Sequence, residues 1–74
     1  MNDTEFLAYC SLHCRTEAAL FMRDDVVRIY ELAGYPMRGD LPAQMVVRPA
    51  IMNELVETAQ ARLSVKRGEG TIST

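Results

Sequence analysis

Apolar residues recur at helical spacing along the first 33 positions. Projected at 100° per residue, Leu7, Cys10, Cys14, Ala18 and Phe21 form one stripe, which drifts into Met22, Val26, Ile29 and Ala33. A second stripe runs through Phe6, Tyr9, His13, Leu20 and Val27. Phe6, His13, Leu20 and Val27 stand seven residues apart, which keeps them within about 60° of one another on a straight helix. Residues 2–33 contain no glycine or proline and are rich in Ala, Leu, Glu, Arg and Met, all good helix formers. Asn2, Asp3 or Thr4 can cap the start. Gly34 can supply a C′ stop, and Pro36 blocks continuation. The pattern predicts one long N-terminal helix over about 3–33. The alternative is a break at Arg23–Asp25, with Asp24 or Asp25 capping a new helix.

The pattern changes over residues 34–48. Gly34, Pro36, Gly39 and Pro42 punctuate this segment, and it reads as an irregular connection. Asp40 can cap a short turn. Met45–Val47 could make a short strand, but no partner strand is evident elsewhere in the chain. From Pro49, a first-turn proline, helical spacing resumes. Ile51, Met52, Leu55, Val56, Ala59 and Leu63 fall on one side, and Asn53, Glu54, Glu57 and Gln60 largely on the other. This predicts an amphipathic C-terminal helix over about 49–66. Lys66 and Arg67 suit its negative end, and Gly68 can end it.

The expected fold class is therefore all-α: a helical hairpin of a long helix, an irregular connection and an amphipathic second helix. Residues 1–67 would form a single small helical domain, and 68–74 a flexible C-terminal tail. A helix that is apolar on two sides is usually buried on two sides. One side of helix 3–33 would pack against helix 49–66. The other would meet a second copy or a different protein, unless the connection folds over it.

Length strengthens that expectation. Seventy-four residues bury only about 60% of their unfolded surface, and folds of this size often depend on disulfides, metals or oligomerisation. The net charge of −2 and pI of about 5.2 speak against nucleic acid, whose binding draws on Lys and Arg. A dimeric helical nucleic-acid-binding transcriptional regulator is the alternative to a protein-binding role. The start, "MNDTEFL", is not a secretory signal, and no apolar run is long enough to span a membrane. A reducing cytoplasm, where free cysteines are ordinary, is the expected compartment.

Candidate chemistry is confined to "CSLHC", Cys10–Cys14, which holds both cysteines and the only histidine. Cys10 and Cys14, at i and i+4, could offer two metal ligands, but a closed zinc site needs four. Only a dimer pooling thiolates from two chains would complete one. A Cys–His nucleophile would also need a third group to orient the base, and none is evident. Buried free cysteine acts as a small hydrophobe, which is the favoured role here. "RGD" at Arg38–Asp40 serves better as a turn and cap than as an adhesion motif. No enzyme activity, cofactor or metal is expected. Tyr35, Met37, Arg38, Met45 and Arg48 cluster in the connection, and Tyr, Met and Arg are enriched at interfaces. With Phe6, Tyr9, His13, Leu20 and Val27 they make up the expected protein interface. The expected function is that of a small non-enzymatic adaptor, inhibitor or regulatory subunit, associating through helices and working as a homodimer.

Overall fold

The computed structural model describes the backbone of residues 1–37 and 39–72, and side chains as far as residue 65 apart from Arg38. The elements run α1 (Asp3–His13), β1 (Ala19–Met22), α2 (Arg23–Ala33), β2 (Gln44–Val47) and α3 (Pro49–Ile72). This is an α+β arrangement, and it overturns the all-α hairpin. The long helix over 3–33 does not exist. It is two helices of 11 residues each, separated by a turn and a strand. The alternative break at Arg23–Asp25 is nearer the mark, since α2 begins at Arg23. Neither aspartate caps it. Met22 occupies the N-cap in extended geometry and makes no side-chain cap hydrogen bond.

Local chemistry explains the ends of α1. The Asn2 side chain accepts from the Glu5 N–H at 2.8 Å, and Glu5 accepts from the Asn2 N–H at 3.0 Å. This reciprocal pair satisfies two donors that the first turn leaves open. The helix stops at Cys14, whose backbone leaves helical geometry (φ −123°, ψ 49°). The chain then turns into β1, which pairs antiparallel with β2 in the register Ala19–Val47, Leu20–Val46, Phe21–Met45 and Met22–Gln44. The strand weighed at Met45–Val47 therefore has a partner. It lies inside the segment expected to be helix.

Gly34 ends α2 in the left-handed region (φ 83°), and its N–H turns back to the carbonyls of Tyr30 and Glu31. A side chain at Gly34 would be strained by that angle and would also run into the Arg62 guanidinium of α3. α3 starts at Pro49, as the sequence predicts, but runs on to Ile72 rather than ending near 66. The expected tail over 68–74 falls on residues whose side chains, and for 73–74 the backbone too, lie outside the described residues.

Both α1 and α2 pack on α3. The core contains Phe6, Leu7, Cys10 and Cys14 from α1 and its end, Phe21 and Val47 from the sheet, Val26, Ile29 and Ala33 from α2, and Met52, Leu55, Val56 and Ala59 from α3. Much of the first predicted stripe is thus core. Ala18 and Met22 depart from it and are exposed, because the turn after Cys14 resets the phase. Ile51, expected on the buried side of α3, is also exposed.

Candidate protein-binding surface

The second predicted stripe does not survive as one face. Phe6 is only 2% exposed, so it is core and cannot contact a partner. It sits under Arg28, whose guanidinium carbon lies 4.3 Å from the ring centroid. Arg28 also donates to the Met1 carbonyl and to Asp3 Oδ1, each at 3.1 Å, tying α2 to the start of α1. Tyr9 is half-buried and packs on the core. His13 stacks on Tyr9 (centroids 5.4 Å apart, 16° between planes) and meets the Phe21 ring edge-on at 4.9 Å. Its Nε2 is 3.0 Å from the Leu20 carbonyl oxygen, and since a carbonyl only accepts, Nε2 carries the proton. His13, one of the expected interface residues, is exposed and fastens the end of α1 to β1.

The remaining candidates fall in different places. Val27, Tyr35 and Met37 line an open groove between α2 and the following segment, together with Arg23 and Leu41. Arg23 donates to the Leu41 carbonyl at 3.0 Å and holds that segment down. Met45 is half-buried and packs on the core. Arg48 is exposed. Arg38 lies outside the described residues.

The cysteines are fully buried and unbridged. The Cys14 thiol donates to the Val47 carbonyl at 3.0 Å, a contact from the end of α1 to β2. The Cys10 thiol is pushed up to about 12, first by burial, then by the nearby Asp25 charge and by Cys14, with Arg28 opposing. Cys10 is therefore a neutral thiol at ordinary pH, and it is the thiolate that acts as a nucleophile. The Tyr9 hydroxyl is also shifted upward, by burial and then by Asp25 and Cys10. Among the described residues, no group of three or more His, Cys, Asp or Glu side chains is placed to hold a metal ion.

What the sequence reading missed is the outer face of the sheet. Side chains of directly paired residues share a face. Phe21 and Val47 point inward and are buried, with Ala19 and Met45 beside them half-buried. Leu20, Val46, Met22 and Gln44 point outward. Leu20 is 50% exposed, Met22 53% and Val46 66%. Leu20 and Val46 form a cross-strand pair, while the Gln44 amide donates to Met22 Sδ at 3.6 Å. Of these residues, only Leu20 was expected at an interface. Met22 was read as core, and Val46 as part of the connection.

The hydrogen-bond pattern also defines the sheet edges. The Arg23 N–H donates to the Ala43 carbonyl at 2.8 Å. By antiparallel alternation, Phe21–Met45 and Ala19–Val47 are then the other hydrogen-bonded pairs. Leu20, Gln44 and Val46 turn their main-chain groups outward. On the β1 edge, His13 takes up the Leu20 carbonyl. On the β2 edge, no described residue covers Gln44 or Val46.

No protein-family model, curated protein or solved structure matches this chain. No helix among the described residues is long and apolar enough to cross a membrane.

Proposed function

We propose that this protein is a small non-enzymatic binding protein: an adaptor, inhibitor or regulatory subunit that covers or bridges a surface of a partner protein, works as a homodimer, and acts in the reducing cytoplasm. The observation that carries this reading is the outer sheet face, where Leu20, Met22 and Val46 stand half to two-thirds exposed beside an open strand edge. Covering three such side chains contributes on the order of 1 kcal/mol each. Clustered exposed apolar side chains mark interaction sites more often than scattered ones do. The placement of the Cys–His segment supports a non-enzymatic role. Cys10 is buried and held neutral, Cys14 donates to a main-chain carbonyl, and the His13 ring is stacked and bonded to β1.

The test pairs affinity capture from native lysate with a Leu20→Ser, Val46→Thr variant. Both residues are exposed, so the fold should lose no more than about 0.5 kcal/mol each. The variant should melt almost as the parent does, yet lose the parent's specific protein partners at least about tenfold. Equal capture by both proteins would remove the sheet face from the proposal. Recovery of no specific partner by the parent, with a monomeric state, would end the proposal itself.

A further inference from the structure

We propose that the open edge of β2 (Gln44–Val47) pairs antiparallel with β2 of a second copy, joining two small sheets into one with strand order β1–β2–β2–β1. This rests on the protein-binding reading above and names the partner for one part of that surface.

Three features of the edge favour a second copy. The first is its hydrogen-bonding pattern. The outward main-chain groups belong to Gln44 and Val46, which flank Met45 symmetrically. In an antiparallel pairing centred on Met45, Gln44 lies opposite Val46 of the partner subunit, and each such pair exchanges two main-chain hydrogen bonds. The hydrogen-bonding complement of this edge is therefore the edge itself.

The second is charge. Residues 42–47 (PAQMVV) carry none. Open edges are usually guarded by charged residues, prolines or bulges, and within β2 itself there is none: Pro42 lies two residues before the strand. Arg48, the first charged residue after β2, would fall opposite Pro42 of the partner subunit, so no like charges meet.

The third is size. A sheet of two four-residue strands is marginal by itself. Pairing also brings Leu20 and Val46 of one chain into a continuous outer face with Met22 and Gln44 of the other. A foreign extended peptide would satisfy the same main-chain groups, but it would bring no second Leu20–Val46 pair to extend the face.

The geometry gives a residue-level test. Met45 would lie opposite the partner subunit's Met45 as a pair without mutual hydrogen bonds, with Cα atoms about 4.5 Å apart, inside the range a disulfide spans. Met45→Cys, exposed to oxidised glutathione as the electron acceptor, should form a covalent dimer. Two thiols lose their protons and two electrons, one S–S bond forms, and two glutathione thiols are released. Gln44→Cys should cross-link far less, because its counterpart across the axis is Val46. The wild type should not cross-link, since Cys10 and Cys14 are fully buried.

A second variant tests the pairing without a covalent bond. The Val46 N–H points away from β1, so proline there leaves the β1–β2 ladder intact, as edge positions allow. Val46→Pro should weaken the dimer at least about tenfold in light scattering and keep the far-ultraviolet circular dichroism of the parent. A parent that is monomeric at about 100 µM, a concentration well above micromolar affinity, overturns the pairing. So does cross-linking at Gln44→Cys equal to that at Met45→Cys. If the monomer still captures a protein through Leu20 and Val46, the pairing fails while the protein-binding proposal stands. If it captures none, both fail.

Discussion

Cys10 shows at the scale of one residue what became of the chain's only candidate chemistry. Spacing alone allowed a ligand, a nucleophile or a core hydrophobe. Burial places it in the core, where a thiolate would be desolvated and would face Asp25. The consequence is a dependence of stability on pH. The native thiol is raised from 9.0 to about 12, while the unfolded thiol keeps its ordinary value. Below about pH 9 both states hold the proton, and the neutral thiol's contribution is complete. Between about pH 9 and 12 the unfolded chain releases the proton and the native state does not, so stability falls by about 1.4 kcal/mol per pH unit. Urea titrations at about pH 7.5 and pH 10.5 should show this loss in the parent, and Cys10→Ala should lose less across the same interval by about 1–2 kcal/mol. Tyr9 titrates in the same direction in both proteins, and only the part of its shift that Cys10 causes, the smallest of the three, differs between them. Equal losses would mean that the thiol is not held neutral by its surroundings.

At the scale of the elements, the sequence made α3 legible and concealed β1. Pro49 marks where α3 begins, and four of the six residues expected on its buried side, Met52, Leu55, Val56 and Ala59, are core. That succeeded because helix patterning is local: hydrogen bonds reach four residues back and the face repeats within the element. β1 reads Ala-Leu-Phe-Met, three good helix formers and one aromatic residue, without glycine or proline on either side. Nothing within four residues specifies a strand. What specifies it is β2, more than 20 positions away, together with the His13 and Cys14 contacts that reach Leu20 and Val47. The Phe6–His13–Leu20–Val27 repeat of seven was genuine spacing without a continuous helix beneath it. The candidate site suffered for the same reason. Met22 and Val46 become outward neighbours of Leu20 only once the strand register is known.

The same junction leaves a gap in local stabilisation. α2 starts directly from β1, and Met22 must serve as both strand residue and N-cap, with no side-chain oxygen to accept from the first turn. Threonine suits both duties, being β-branched and a good N-cap. Met22→Thr should therefore raise stability by about 0.5–1 kcal/mol in chemical denaturation while weakening protein binding, because it removes exposed apolar surface from the outer face. A loss of stability instead would show that the Met22 contact with Gln44 outweighs the cap.

At the scale of the whole molecule, the question is how much of the stability belongs to one chain. The core cluster is fully formed within a single copy, and no buried side-chain nitrogen or oxygen among the described residues lacks a hydrogen-bond partner. One chain therefore buries a core of its own, while a core of this size leaves little stability to spare. Pairing along β2 would couple folding to association, since a species that binds only the native state stabilises it by mass action. For a native dimer that melts to two unfolded chains, each tenfold rise in concentration adds about 1.4 kcal/mol per dimer, or about 4 °C in Tm for two chains of this length. Reversible melts of the parent should move by about that amount per tenfold wherever the dimer is the native species. Val46→Pro should show almost no movement, and its Tm should approach that of the parent at high dilution. A concentration-independent Tm in a parent that light scattering finds dimeric would mean that the dimer separates before it unfolds. The β2 edge would then act as a reversible contact between chains that are already stable alone, leaving it free to exchange a second copy for another partner.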